Sequence, residues 1–280
     1  PLMFSGIVGT ALGWGDTALL GYFMDDAAVG LYNAALPTAA LIGLPATAIS
    51  NLALSSFSEL GAKETEKAKA LKTTTRWIFT LAFPAFLLMA LFSDQLLHLL
   101  FGSTYAQAGT ALTILAFGQF FNNATGQLKP YLKSDSHTKI IFYNNTANMI
   151  LNIILNIALI PIFGIIGAAI ATASSQIFLN LLLIAQTYQF DKTHPFEKQM
   201  IYAIPAGILS LTLTYFLFKQ IFTPAPYWIL IPGGIVFMIT YTLTFLKIGG
   251  LTDYDKEIII TIGRKIEMEE QTRKTIDLLT

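Results

Sequence analysis

The sequence of 280 residues contains no cysteine, which excludes a disulfide framework, thiolate metal ligands and cysteine catalysis. Charged residues are also scarce, because Asp, Glu, Lys and Arg together make up only 12% of the chain. That is about half of the roughly 25% that is usual in soluble domains. Hydrophobic residues make up 54%. This composition excludes a soluble enzyme, a disordered chain and a nucleic-acid-binding protein, and it indicates a membrane protein.

The hydrophobic residues form runs that are long enough to cross a lipid bilayer. About 20 apolar residues in a helix span the hydrocarbon core, which is about 30 Å thick. Eight such runs can be placed, at residues 2–23, 28–57, 76–101, 107–128, 140–160, 165–188, 201–222 and 227–246. They predict an all-α fold, a polytopic membrane helix bundle of eight transmembrane helices.

The segments between these runs are polar or turn-forming. Residues 58–75 predict an amphipathic connector, and residues 102–104 and 223–226 predict turns. After residue 248 the composition changes to that of a charged tail. Isoleucines at helical spacing in this tail, beginning at Ile258, predict a helix that lies on the membrane surface.

Lysine and arginine are concentrated in alternate connecting segments. All but one of the 17 lie in the connectors after the second, fourth and sixth predicted spans and in the tail, and the exception is Lys219. Because cytoplasmic loops carry an excess of Lys and Arg, we predict a multi-pass protein of the cytoplasmic membrane with both ends of this chain in the cytoplasm. The turn that contains Asp25 and Asp26 then lies on the outer side.

One acidic residue, Asp16, lies near the middle of the first predicted span. An ionised carboxylate at that depth costs roughly 2.5 to 3.5 kcal/mol on insertion scales, so it is expected to face the bundle interior or water. It could bind a coupling ion, a proton or a substrate hydroxyl. It could also serve a structural role by accepting hydrogen bonds from neighbouring helices.

Amide side chains form rows on two of the predicted spans. The fourth span carries Gln119, Asn122, Asn123 and Gln127, and the fifth carries Asn145, Asn148, Asn152 and Asn156 at helical spacing. Hydrogen bonds between helices could account for one or two of these residues. Two whole rows favour a hydrated cavity that accommodates sugar hydroxyls, because an amide supplies both donors and acceptors.

The remaining titratable residues do not assemble a catalytic or metal site. Asp94 and His98 are one helical turn apart near the outer end of the third span, which is typical of an interfacial pair. A metal site would need further ligands. We therefore predict no catalytic residues, no metal and no cofactor, and no enzyme activity.

The segment from Asn148 to Thr172 carries a distinctive pattern, which reads N-x-x-L-N-x-x-L-I-P-x-x-G-x-x-G-A-A-x-A-T from Asn152 onward. It resembles a helical hairpin of the polysaccharide-biosynthesis flippases, which belong to the multidrug/oligosaccharidyl-lipid/polysaccharide exporter superfamily. Nearly the whole chain takes part in the resemblance. The supporting matches are the segments 16–21, 29–35 and 99–105.

The resemblance implies a second lobe of a two-lobed transporter. Members of the superfamily have twelve or fourteen helices in two lobes, and this chain would correspond to helices seven to fourteen. We therefore expect a six-helix bundle over residues 1–190, two additional C-terminal transmembrane helices over 191–248 and a cytoplasmic tail over 249–280. The first lobe would precede Pro1 in a longer protein or be supplied by a separate partner chain.

The function implied by the resemblance is a membrane flippase that translocates lipid-linked oligosaccharide or polysaccharide precursors by alternating access, without covalent chemistry. Arg76 and Lys129 at the cytoplasmic helix ends are the candidates for contact with the lipid phosphate, although such positions also suit simple membrane anchors. The predicted substrate cavity is lined by Asp16, Asn33, Gln119, Asn122, Asn123, Asn145, Asn148 and Asn152.

Two alternative functions remain open from the sequence. A cation-coupled multidrug exporter of the related multidrug branch would depend on an ion gradient through Asp16. A non-transporting membrane scaffold would hold glycosyltransferases through its basic cytoplasmic loops and tail. The expected partners are membrane lipids and a lipid-linked glycan, with glycosyltransferases as further candidates and no nucleic acid.

Overall fold

The computed structural model describes residues 14–60, 64–125, 127–135, 137–219, 227–252, 255 and 260. Helices account for most of these residues, and no strand occurs in this part of the chain. The helices are α1 (14–23), α2 (Asp26–Ala40), α3 (Leu44–Leu60), α4 (Glu64–Leu91), α5 (Ser93–Phe101), α6 (Gly109–Ala124), α7 (Leu128–Ser134), α8 (Thr138–Phe163), α9 (Ile165–Asp191), α10 (Met200–Thr214) and α11 (Leu230–Lys247).

Six helical stretches in the described part of the chain are long and apolar enough to cross a membrane, and they make the chain a multi-pass membrane protein. They are Asp26–Ser50, Glu64–Leu91, Thr138–Phe163, Ile165–Asp191, Met200–Phe218 and Tyr227–Lys247. The all-α membrane bundle predicted from the sequence is confirmed. The predicted number of eight spans is not confirmed. The first span is described only from residue 14, and the fourth corresponds to α6, whose 16 residues fall short of the roughly 20 that a bilayer requires.

The third predicted span differs from the observed helices at both of its ends. The helix α4 begins at Glu64, so residues 64–75 of the predicted amphipathic connector 58–75 are a helical extension of the span. The helix ends at Leu91, because Phe92 has the non-helical angles φ −119° and ψ 28°. The last residues of the predicted span form a separate helix, α5. The surface helix predicted for the tail lies outside the described residues, apart from isolated positions.

The contacts divide the chain into two units, Pro1–Phe196 and Glu197–Thr280. The first unit contains α1 to α9. In the second, α10 packs against α11. The predicted boundary after residue 190 remains a prediction.

The helix α9 is the central element of the first unit, and it packs against α8 and α6. Small residues make both contacts close. A Cβ atom on Gly167 would lie 2.3 Å from the carbonyl oxygen of Leu159 on α8, and one on Gly118 of α6 would lie 2.7 Å from the Cα atom of Ala173. These approaches are typical of membrane helices with small residues at their interfaces.

Local signals set the start of α2 and the end of α8. The side chain of Asp25 accepts a hydrogen bond of 2.8 Å from the backbone N–H of Ala28 and so caps the start of α2. The helix α8 ends at Gly164, which has a positive φ of 57° that favours glycine. The chain then turns directly into α9, and α8 and α9 form the helical hairpin that the sequence pattern predicts.

Candidate functional site

A cavity of about 530 Å³ lies within the first unit, among α1, α2, α6, α7, α8 and α9. Its apolar lining comes from Leu36, Pro37, Ala40 and Leu179. Its polar lining consists of Asp16, Gln119, Asn122, Lys129, Asn145, Asn148, Asn152, Thr172, Ser175 and Gln176. A space of this size is typical of a ligand pocket, and this one is lined mainly by hydrogen-bonding side chains.

The carboxylate of Asp16 is enclosed by donors from three other helices. The side chain is 3% exposed. Its Oδ2 atom accepts hydrogen bonds from the hydroxyls of Tyr32 on α2 at 2.8 Å and of Thr172 on α9 at 2.5 Å. Its Oδ1 atom accepts a hydrogen bond of 2.7 Å from the amide of Asn156 on α8. The carboxylate thus joins α1, α2, α8 and α9.

A second layer of hydrogen bonds supports this network. The amide nitrogen of Asn156 also lies 3.1 Å from Oδ1 of Asn152, and the amide of Asn152 donates to the Thr172 hydroxyl at 3.4 Å. The arrangement provides carboxylate, amide and hydroxyl oxygens that suit a proton or a hard cation. Within the described ranges, His, Cys, Asp and Glu form no group of three that could hold a metal ion.

The helix α8 buries an asparagine at every fourth position, and the buried row differs by one residue from the predicted one. Its members are Asn144, Asn148, Asn152 and Asn156. Asn144 exchanges two hydrogen bonds with Gln186 of α9, of 2.6 and 3.0 Å. The predicted first member, Asn145, is half-buried and lines the cavity. Continuing the spacing of four residues back from Asn148 would have identified Asn144.

Asn148 is the member of this row whose side chain forms no hydrogen bond with another described residue, whereas in Asn156 the amide nitrogen is bonded and only the Oδ1 atom lacks a partner. Asn148 is 7% exposed and lines the cavity. Its Oδ1 atom has no hydrogen-bond partner among the residues that the structure describes. The same holds for the Oε1 atom of Gln176, which lines the cavity from α9. Two residues of the cavity lining therefore each carry a buried acceptor oxygen that has no hydrogen-bond partner in the described part of the chain.

The amides of α6 are divided between the cavity and the helix interface. Gln119 and Asn122 line the cavity, and Asn122 accepts a hydrogen bond of 3.0 Å from Asn180 on α9. Asn123 is outside the lining, where it donates to the backbone carbonyl of Gln119 at 2.7 Å. The helix α6 ends at Ala124, so Gln127 does not continue its row of amides. The amide of Gln127 instead donates a hydrogen bond of 2.9 Å to the Ser50 hydroxyl.

The three remaining predicted site residues have different surroundings. Asn33 is exposed and accepts a hydrogen bond of 2.9 Å from Thr17, and Arg76 is buried in α4. Neither lines the cavity. Lys129, at the start of α7, does line it, and desolvation by burial lowers the pKa of its ammonium group. The structure thus brings together Asp16, Gln119, Asn122, Lys129, Asn145, Asn148 and Asn152 and leaves Asn33, Asn123 and Arg76 outside.

Sequence reasoning missed the contribution of α9 to the cavity. Thr172, Ser175, Gln176 and Leu179 line it from one face of the helix. Their spacing of three, four and seven residues is the usual signature of a single helical face. In the sequence these positions belong to a segment of small and apolar residues. The polar face of α9 was therefore not recognised.

A buried charge that is not part of the cavity lining lies next to α7. Lys67, predicted to lie in a connector, is 2% exposed and forms an ion pair with Asp135. Its ammonium group also lies 4.4 Å from the ring centroid of Tyr131. This cluster anchors α7, which carries Lys129, to α4.

Comparison with known proteins supports this architecture. The model of the MatE family matches residues 1–158. Among solved structures, the chain resembles "Lipid II flippase MurJ, inward closed conformation", with a TM-score of 0.73 and 18% identity over 86% of this chain and 51% of that one. At this identity the likeness shows a common fold.

Three curated relatives match at the level of sequence. The "Uncharacterized membrane protein MJ1068" of Methanocaldococcus jannaschii is 32% identical over 220 residues, which is 74% of this chain and 41% of the relative. From Haloferax volcanii, the "Probable low-salt glycan biosynthesis flippase Agl15" is 29% identical over 173 residues, 61% of this chain and 37% of the relative. The "Probable flippase AglR" of the same organism is 32% identical over 192 residues, 65% of this chain and 39% of the relative.

The chain spans only part of the length of the proteins that it resembles. The matched region spans about two fifths of the length of each curated relative and about half of the solved flippase chain. The family model covers more than half of the present chain, including α1 to α7 and most of α8. The chain therefore belongs to the MatE family, within the exporter superfamily that its hairpin pattern resembles.

Proposed function

We propose that the protein is a membrane flippase that translocates lipid-linked oligosaccharide or polysaccharide precursors. The observation that carries the proposal is the 530 Å³ cavity, in which amide and hydroxyl side chains outnumber charged ones at the depth of long apolar helices. Amides offer donors and acceptors to sugar hydroxyls. The names of two relatives, which call them probable flippases, support the same function.

The cavity chemistry is that of binding and release rather than of bond making. In this proposal the sugar headgroup enters the cavity while the lipid tail stays in the bilayer. Lys129 is the cationic residue of the lining and contacts the lipid phosphate, whereas the alternative candidate Arg76 lies outside the lining. Alternating access requires a second lobe that moves against this one, supplied by further residues of the same protein or by a partner chain.

The proposed orientation follows the distribution of positive charge. Both ends of the chain lie in the cytoplasm, and the turn at Asp25 and Asp26 lies outside the cytoplasmic membrane. Lys129 and the Lys67 cluster then lie towards the cytoplasm, where the precursor is loaded.

A second candidate function is a cation-coupled exporter, and the environment of Asp16 favours it. A carboxylate that accepts three hydrogen bonds from three helices would change the packing of those helices if it gained or lost a proton or a cation. The two candidates differ in substrate. Both allow Asp16 to act as the coupling group.

The test is a flipping assay with the full-length protein in proteoliposomes. The substrate is a fluorescent polyprenyl-diphosphate-linked N-acetylglucosamine, and the inaccessible fraction is measured with a membrane-impermeant quencher. We expect protein-dependent flipping that slows at least about tenfold in a Gln119→Leu, Asn145→Leu double variant, since two cavity amides are lost.

The matched control is Gln189→Leu, which removes an exposed amide outside the cavity lining. It is expected to flip at the wild-type rate. Flipping at the rate of protein-free vesicles by the wild-type protein, combined with export of a cationic drug that depends on an ion gradient, would favour the second candidate.

A further inference from the structure

We propose that Asn148 and Gln176 form a subsite for the neutral sugar unit of the substrate, which they bind through its hydroxyl or acetamido groups. The proposal rests on the flippase function and adds which part of the substrate is recognised at which wall. It concerns two side chains on facing helices, α8 and α9, that both line the cavity.

The first argument is the contrast between Asn148 and its neighbours in the same row. One turn earlier, Asn144 is satisfied by Gln186. One and two turns later, Asn152 and Asn156 take part in the hydrogen-bond network of Asp16. A structural role therefore explains those three residues. The Oδ1 atom of Asn148 is buried without a partner and no hydrogen bond joins this side chain to another described residue, so the packing of the bundle does not explain the amide.

The second argument is that a buried amide without partners is unfavourable. Asn148 is more than nine-tenths buried, and its side chain borders the cavity. Gln176 lines the same space from α9, and its acceptor oxygen is also buried without a partner in the described part of the chain. A group that enters the cavity and donates O–H or N–H hydrogen bonds would satisfy both oxygens.

The third argument is electrostatic, and it separates the sugar from the phosphate. Phosphate oxygens are acceptors with negative charge, and they are repelled by the amide oxygens of Asn148 and Gln176 and by the carboxylate of Asp16 in the same lining. Lys129 is the one cation among the lining residues. The phosphate is thus expected towards Lys129 on α7, and the neutral sugar deeper along α8.

The position of Asn148 along α8 agrees with a phosphate bound near Lys129 and a sugar bound farther along the helix. It lies eight residues before Asn156 on α8, which corresponds to about 12 Å along the helix axis, so it is well separated from the Asp16 network. Asn145, a turn closer to α7, lines the same wall. A sugar bound at Asn148 would therefore leave the Asp16 hydrogen bonds intact.

The experiment measures binding to the purified full-length protein in detergent by microscale thermophoresis. Two probes are compared, polyprenyl-diphosphate-linked N-acetylglucosamine and the same polyprenyl diphosphate without sugar. For Asn148→Leu we expect at least about tenfold weaker binding of the glycosylated probe, since two neutral hydrogen bonds are lost. Binding of the unglycosylated probe is expected to be unchanged.

A second variant, Gln176→Met, preserves the length and shape of the side chain and removes its acceptor. We expect the same selective loss, so the proposal remains testable if Asn148→Leu does not fold. The matched control is Asn144→Leu, which removes an equally buried amide one turn away but leaves Gln186 without its partner. It is expected to lower the melting temperature while keeping the wild-type ratio of the two affinities.

Three results would overturn the proposal. Wild-type affinity for the glycosylated probe in both cavity variants would show that the two side chains do not touch the sugar. An equal loss for both probes would assign them to the phosphate or to the packing. If the wild-type protein binds neither probe, the flippase function itself is contradicted together with the subsite.

Discussion

The two charged residues that line the cavity have opposite surroundings. Asp16 accepts hydrogen bonds from Tyr32, Thr172 and Asn156 and joins four helices. Lys129 forms no hydrogen bond or ion pair within the described part of the structure, and burial lowers the pKa of its ammonium group. The carboxylate is thus held by the bundle, whereas the ammonium group is disfavoured by its surroundings.

The difference separates residues that hold the bundle together from residues that are available to a ligand. A charge that the protein satisfies on its own contributes to the stability of the folded state. One that lacks a partner destabilises the unliganded state and is compensated only when an oppositely charged group binds. Asn144 and Asn148 repeat the same distinction with neutral side chains on a single helix.

The largest expected effect is at Asp16, because three donors depend on it. Asp16→Ala leaves the Tyr32, Thr172 and Asn156 donors without their acceptor and is expected to destabilise the protein by roughly 2 kcal/mol, taking about 0.6 kcal/mol for each hydrogen bond in a membrane protein. Asp16→Asn retains one oxygen acceptor and should cost less. The melting temperatures of both variants in detergent measure the order, and equal melting temperatures for Asp16→Ala and wild type would show that this network does not stabilise the bundle.

A smaller effect is expected where two amides satisfy each other. A double-mutant cycle of Asn144→Leu and Gln186→Leu should give a coupling free energy of about 0.6 kcal/mol, the average for hydrogen bonds between membrane helices. The comparison cycle uses Asn148→Leu with Gln186→Leu, for which additive effects are expected because these side chains are not bonded to each other. Equal coupling in the two cycles would remove the distinction between Asn144 and Asn148.

The smallest effect, and one that depends on pH, is expected at Lys129. The pKa of Lys129 is lowered by burial, so the folded protein loses this proton at a lower pH than the unfolded chain does. Between the two pKa values the unfolded state binds more protons, and the stability of the wild-type protein therefore increases with pH. We expect Lys129→Met to be at least as stable as wild type at neutral pH, with the difference shrinking as the pH rises through the lowered pKa.

The measurement is the melting temperature of both proteins in detergent at a series of pH values. Lys133→Met, at an exposed position of the same helix, gives the general effect of removing a lysine. Its change in melting temperature is subtracted from that of Lys129→Met at each pH. A difference that grows with increasing pH would contradict the assignment of Lys129 as a cation disfavoured by burial.

Much of the fold could be predicted from the sequence because membrane helices obey a simple rule of length. The spans that correspond to α8, α9 and α11 were predicted to within a few residues, since each is a long apolar run bounded by a turn or by charge. The break at Phe92 was not predicted, because an apolar residue gives no local signal when it leaves helical geometry. The start of α4 at Glu64 was missed because charged helices that extend beyond a membrane resemble connectors in composition.

The cavity residues were predicted to the extent that one helix could reveal them. Asn148 and Asn152 stood out by their spacing on α8, and Asp16 by its charge within an apolar run. Asn33 and Asn123 are on helices that contribute other residues, but those two side chains point elsewhere. Gln176 and Ser175 were missed, since a polar face within a run of small residues acquires a role only from the helix that faces it.

The sequence by itself determined that this chain is an apolar helical membrane protein with polar residues set within its helices, because composition and periodicity act within single segments. Which polar residues are satisfied was decided by the tertiary structure. Asn144 and Asn148 share residue type, helix and spacing, yet one is bonded to Gln186 and the other faces a cavity. The physical reason is that a hydrogen bond between helices depends on the partner that the neighbouring helix places opposite, which no single segment encodes.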